Sequence, residues 1–184
     1  MANDVVIGEE ELIAKFRQLN TEVQGEALVN TVGAGLTVIV NAAKTNIKEQ
    51  GLIQSRTLSR SVHQEITERA DDHVEGTAGT DLDYAAIHEF GGTIQAKSSK
   101  YLAIPVGNYT GSPRKYGDLK VRKTAGGTLV MVDAEGIVQY VLKQSVEIPA
   151  RPYMRPAADN NHDKVSDAMA RSWKKQIENA AGGA

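Results

Sequence analysis

The chain has 184 residues and a formal net charge of −2 at pH 7, with 41% hydrophobic and 24% charged residues. That length buries a core without covalent staples, and the near-neutral charge is not that of a dedicated nucleic-acid binder. There is no cysteine, which excludes disulfides, thiolate metal sites and a cysteine nucleophile. Only 5% of residues are aromatic, so Val, Ile, Leu and Ala are the expected core.

Met1 to Asp4 carries neither a basic n-region nor an apolar h-region, so no signal peptide is expected. Glu9-Glu10-Glu11 opens a first helical pattern, with acidic residues complementing the helix dipole, and Leu12, Phe16, Leu19 and Val23 recur at helical spacing. A second helix follows, with Leu28, Val32, Leu36, Ile39, Ala43 and Ile47 on one broad face. Gly25, Gly33 and Gly35 mark close approach to another backbone, and Gly51 is the expected stop. The most apolar stretch, Thr31 to Ala43, is short and interrupted by Gly33, Gly35, Thr37 and Asn41, so no membrane span is expected. Residues 1–50 thus read as a helical arm.

Leu58 to Arg69 reads as a strand and His73 to Thr80 as a second one, weakened or bulged by Gly76 and Gly79. Asp83 to Phe90 reads as a short helix, capped by Asp83 and ended by Gly91-Gly92. Its Tyr84, Ile87 and Phe90 would cover the sheet. Tyr101 to Ile104 is a short strand that stops at Pro105. Residues 107–127, rich in Gly, Ser, Pro, Lys and Arg, read as a long loop or mobile hairpin. Thr128 to Val132 and Ile137 to Ile148 form an antiparallel hairpin about the turn Asp133 to Gly136. Arg151 to Pro156 then leads into a C-terminal helix with Val165, Met169, Trp173 and Ile177 on one stripe. Lys174 and Lys175 sit near its end, as the dipole prefers. This order predicts a single α+β domain over residues 1–184. An antiparallel sheet would be packed by a long N-terminal helix, a short middle helix and a C-terminal helix.

Catalytic patterns are sparse. His63, His73, His88 and His162 are the only histidines. His88-Glu89 lacks the second histidine that a zinc site of its type needs. Gly91-Gly92 and Gly126-Gly127 lack the Lys-Ser/Thr of a phosphate loop, and there is no Gly-x-Ser-x-Gly elbow. Asp81, Asp83 and Glu89 read as capping and solvated charge. No catalytic residue, metal or cofactor is therefore expected; a small hydrolase using His88 and a nearby carboxylate is the weakest alternative. Arg114, Lys115, Lys120, Arg122 and Lys123 form a basic cluster with only Asp118 among them. On an exposed loop such a cluster attracts phosphate, which makes a DNA-binding accessory module the main alternative function.

Two segments carry a resemblance. One is Asp83-Tyr84-Ala85-Ala86-Ile87-His88-Glu89-Phe90-Gly91-Gly92-Thr93, and the other is Ile148-Pro149-Ala150-Arg151-Pro152-Tyr153-Met154-Arg155-Pro156-Ala157. Together they resemble small morphogenesis proteins of tailed bacteriophages: the HK97 gp10-like family and the related Mu-type virion morphogenesis or tail-completion proteins. Tyr84, Ala85, His88, Glu89, Phe90 and Gly91 match the family's Tyr-Ala to Glu/His-Phe-Gly segment. Pro149, Arg151, Pro152, Tyr153 and Pro156 match its Pro-Ala-Arg-Pro-Phe-Leu-like segment, with Tyr153-Met154 in place of Phe-Leu. Ser55 to Val62 resembles the family's entry to its first strand. Leu102-Ala103-Ile104-Pro105 and Tyr140 to Lys143 are similar to later elements.

The resemblance implies a structural virion protein and not an enzyme. It implies a ring, commonly a hexamer, at the head-tail junction or the tail end, assembled in the bacterial host cytoplasm. The implied partners are other copies of the chain and adjacent neck, connector or tail-tube proteins, with non-specific contact to packaged DNA and no membrane.

Overall fold

A computed structural model describes residues 21–52, 56–70 and 73–182. The helical pattern expected from Glu9 lies outside these residues as far as Asn20. The chain forms two compact units. One comprises the residues up to Glu89 together with those from Arg151 onward, and the other is Phe90–Ala150.

The first unit is built on helix α1, Thr21–Glu49. Its apolar periodicity turns Val40, Ala43 and Ile47 inward, where Ala43 and Ile47 are fully buried. They form a core with Leu58, Val62, Ala85, Tyr153 and Ala157. The helix stops as its sequence predicts. Gly51 takes φ +69°, and the Leu52 N–H closes onto the Ile47 carbonyl at 2.9 Å, the six-to-one bond of a left-handed cap.

The glycines inside α1 do not interrupt it. A Cβ at Gly35 would lie 2.9 Å from Met169 Cγ, so the missing side chain lets another helix approach. The stretch expected to be too short for a membrane span therefore belongs to a longer helix. By length and composition, Gly25–Glu49 is long and apolar enough to cross one.

Beyond α1, the expected strand from Leu58 to Arg69 divides. Thr57–Ser61 is a helical turn, α2, and only His63–Arg69 is strand, β1. Four residues span about 6 Å in a helix against about 13 Å in a strand. The turn therefore lets Leu58 and Val62 both reach the one small core, and they are 4% and 1% exposed. β1 pairs antiparallel with β2, Val74–Gly79. The register shift falls on β1 between Ile66 and Glu68, not on the glycines of β2. Gly76 instead makes room for α1, since a Cβ there would lie 2.6 Å from Leu36 Cδ1.

Helix α3, Ala85–Phe90, buries Ala85 and Glu89. The expected covering residues Tyr84 and Phe90 are 42% and 68% exposed; with Ala85 and Glu89 one turn apart on the buried side, they fall on another face of this short helix. The expected single C-terminal helix is two: α4, Met154–Asp159, and α5, His162–Gly182. Asn161 separates them. Its side-chain amide donates to the Ala157 carbonyl at 2.9 Å, while its own carbonyl accepts from the Val165 N–H at 2.9 Å. Asparagine competes in this way with helical backbone bonding. On α5, Val165, Met169, Trp173 and Ile177 are half-buried.

The second unit opens with β3, Gly92–Gln95, and closes with β8, Ser145–Ile148, which pair antiparallel. Between them β4 (Leu102–Pro105), β5 (Lys120–Lys123), β6 (Leu129–Val132) and β7 (Val138–Lys143) form an antiparallel sheet in the order β4-β7-β6-β5. The expected strand Ile137 to Ile148 thus serves two sheets. Its buried residues end at Leu142, and the exposed Lys143-Gln144-Ser145 carries the change. Residues 107–127 contain a 3-10 turn at Pro113–Lys115 and the edge strand β5, which makes this stretch one arm of a hairpin. The fold is α+β with antiparallel sheets, an N-terminal helix and a C-terminal helix.

Candidate functional site

Most of the residues that carry the resemblance meet at one junction in the first unit. Glu89 is the second to last residue of α3 and is 8% exposed. Its carboxylate faces the start of α4. Oε2 accepts the Tyr153 N–H at 2.7 Å and the Met154 N–H at 2.9 Å, and Oε1 accepts the Arg155 N–H at 3.0 Å. These amides open a helix and have no intrahelical partner of their own. A charged acceptor for all three is a strong cap, each such bond contributing about 1.5–3 kcal/mol. One residue earlier, the His88 carbonyl accepts the Arg151 N–H at 2.7 Å. The His88 ring stands edge-on to Tyr84 with centroids 5.9 Å apart.

Helix α1 holds the other side of the same segment. Asn46 Nδ2 donates to the Tyr153 carbonyl at 2.9 Å, and Gln50 Nε2 donates to the Pro152 carbonyl at 2.6 Å. The Tyr153 ring is 2% exposed. Its phenol is pushed above its ordinary value of 10.0, first by burial, then by the charges of Glu89 and Tyr84. Asn46 and Gln50 were not legible as partners, because nothing local links them to a segment more than a hundred residues away.

The remaining motif residues are arranged around these contacts. Ala85 and Ala157 belong to the core, and the Pro156 carbonyl accepts the Asn160 N–H at 3.1 Å. Phe90, Pro149, Arg151 and Pro152 are exposed. Gly91, in the second unit, takes φ +70°, and a Cβ there would lie 2.7 Å from Ala150 N and 3.0 Å from the Ile148 carbonyl oxygen. Only glycine satisfies both demands.

The basic cluster has a built foundation. Gln139, 2% exposed, accepts on Oε1 from the Asn108 N–H at 3.0 Å and the Tyr109 N–H at 3.3 Å. Its Nε2 donates to Asp133 Oδ2 at 2.6 Å, and Asp133 Oδ1 accepts the Ile137 N–H at 2.8 Å. A side chain at Gly107 would collide with Gln139. Farther out, Tyr109 and Tyr116 stack with centroids 4.0 Å apart. Arg114 and Lys115 lie on the 3-10 turn and Lys120, Arg122 and Lys123 on β5, all exposed. Among the described residues none of the five has an ion-pair partner.

A contrasting surface lies on the β1–β2 hairpin. Directly paired residues share a face of a sheet. Glu65 pairs with Thr77, and after the register shift Glu68 pairs with Glu75. Thr77 and Glu75 are two apart on one strand, so the shift brings Glu65 and Glu68 onto one face with Glu75. His63, paired with Gly79, shares that face, whereas Arg69 pairs with Val74 on the other. Ligand atoms of Glu68, His73 and Glu75 lie within 4.8 Å of one another, and His73 Nε2 is 3.1 Å from Glu75 Oε1.

No protein family, curated protein or solved structure matches the chain.

Proposed function

We propose that the chain is a structural virion protein of the neck or tail-completion region of a tailed bacteriophage. It would join tail to head, or close the tail end, around the DNA channel. Its work is self-association and docking to adjacent neck, connector or tail-tube proteins, and no bond is made or broken. The observation that carries this reading is the junction at Glu89. The two segments that resemble the phage morphogenesis proteins are far apart in sequence, yet one side chain from the first caps the helix that the second begins. Two distant segments joined by one capping side chain form a single scaffold element, and Ala85, Glu89, Tyr153 and Ala157 are buried in it.

A ring around DNA needs like copies joined by a contact whose rotation closes. Negative-stain electron microscopy with sedimentation velocity on the purified full chain tests this. Rings of uniform size, alone or on purified tails, are the expected result. A strict monomer that binds neither tails nor heads would overturn it.

The alternative reading, a DNA-binding accessory module, is favoured by the five exposed basic side chains of the 114–123 segment, which have no ion-pair partner among the described residues. It predicts DNA affinity by the isolated protein that falls steeply with salt. The ring reading predicts little affinity for a single copy.

A further inference from the structure

We propose that the basic arm of one copy, centred on β5, docks onto the outward face of the β1–β2 hairpin of a second copy. This rests on the self-association in the reading above and names the two surfaces that make it. The argument is charge complementarity matched by spacing. On the arm, alternation along β5 puts Lys120 and Arg122 on one face, two residues and roughly 6–7 Å apart. On the hairpin, the register shift in β1 gives Glu65 and Glu68 the partners Thr77 and Glu75, which are also two residues and roughly 6–7 Å apart.

Neither surface is satisfied by itself. Lys120, Arg122, Glu65 and Glu68 are exposed, and none has an ion-pair partner among the described residues. Glu68 and Glu75 oppose each other directly across the strands, a like-charge arrangement that destabilises a ladder. His73 on the same hairpin lies 3.1 Å from Glu75 alone, which leaves Glu65 and Glu68 for a cation from elsewhere. Without the shift, strand alternation would send Glu65 and Glu68 to opposite faces. The bulge therefore gathers negative charge on the side away from α1, as bulges re-aim side chains at functional edges. The arm, for its part, is anchored at its base by Gln139 and Asp133. An unlike pair of surfaces on each copy is a head-to-tail contact, the kind that closes into a ring.

The experiment uses the full chain. Equal amounts of ¹⁴N- and ¹⁵N-labelled protein are joined with a carbodiimide, which links an amine to a carboxylate in direct contact. Mass spectrometry should find mixed-isotope links from Lys120 to Glu65, Glu68 or Glu75. In parallel, K120E/R122E and E65K/E68K should each weaken self-association at least tenfold, and the chain with all four changes should regain it. Circular dichroism checks that each variant is folded, and these exposed side chains leave the core intact.

Self-association unchanged by either reversal, or not regained in the fourfold variant, overturns the proposal and leaves the virion reading standing. So does an arm reversal that removes DNA binding alone, which would assign the arm to nucleic acid. Strengthening of self-association by Zn²⁺ or Mn²⁺ that needs Glu68, His73 and Glu75 but not the arm overturns it as well, by assigning the hairpin to a metal ion.

Discussion

Replacing Glu89 tests whether the two separated segments are one mechanical part. The carboxylate accepts three backbone N–H groups at 2.7, 2.9 and 3.0 Å. In Glu89→Gln the remaining carbonyl oxygen can keep the Tyr153 and Met154 bonds as neutral ones, at a loss of about 1 kcal/mol each. The new amide group then faces the Arg155 N–H, donor against donor. Arg155 is exposed, so water partly offsets that loss, and the total cost is about 2–4 kcal/mol. Glu89→Ala removes every acceptor and leaves the buried Tyr153 amide without one, for a cost of about 3–5 kcal/mol. For a chain of this size, each kcal/mol lowers the melting temperature by about 2–4 °C. The assay is thermal melting by circular dichroism, together with hydrogen exchange at the Tyr153, Met154 and Arg155 amides. Faster exchange at those three amides is expected in both variants, with Ala worse than Gln. Glu89→Ala within about 0.5 kcal/mol of the parent, the range of ordinary surface changes, would mean that the two segments do not depend on this cap.

Gly91→Ala should cost about 1–3 kcal/mol through its positive φ and the crowding against Ala150 and Ile148, read by urea denaturation. Gln139→Leu should free the Asn108 and Tyr109 amides, with faster exchange across residues 107–119 and a loss of about 1–3 kcal/mol. The phenol of Tyr153 titrates above its ordinary 10.0 in the folded chain. The folded state therefore holds that proton more tightly than the unfolded chain, and the stability it contributes is complete below pH 10 and lost as pH rises through the folded value. Tyr109 and Tyr140 are raised in the same direction. Alkaline melting should show stability falling above pH 10, and Tyr153→Phe should reduce that slope by up to about 1.4 kcal/mol per pH unit.

Much of the fold was legible because it is locally encoded. The inward Ala43 and Ile47 of α1, the stop at Gly51, the glycine end of α3 and the β6–β7 turn all follow from residues within a few positions of each other. On α1 the expected Leu28, Val32, Leu36 and Ile39 are only half-buried, and Ala27, Thr31 and Val40 are buried instead. What was missed depends on distant partners. Leu58 and Val62 fit a strand pattern, and only the size of the core favours a helical turn. Asn160-Asn161 is a polar pair that a long amphipathic helix could tolerate, and it breaks the helix because Asn161 finds the Ala157 carbonyl. Ile137 to Ile148 reads as one strand because nothing local marks a change of sheet.

The candidate site was half visible. His88, Glu89, Arg151 and Tyr153 stand out by their order in the chain, but from sequence Glu89 reads, with Asp81 and Asp83, as capping and solvated charge. That it caps a helix beginning at Met154 is a tertiary fact. Phe90 reads with Tyr84 and Ile87 as one side of a short helix covering the sheet, and the structure exposes it. Asn46, Gln50, Asp133 and Gln139 carry no motif at all, since amides and acids of this kind are common on surfaces. The face shared by Glu65, Glu68 and Glu75 was hidden by the bulge, which strict alternation does not anticipate.

The proposed work of this chain is to join copies of itself to the parts of a virion. Electron microscopy of lysates from a phage whose gene for this chain is deleted tests it most directly. The account predicts separate DNA-filled heads and unjoined or unfinished tails, restored to whole particles when the chain is supplied in trans. Complete, tailed and infectious virions formed without it would contradict the account.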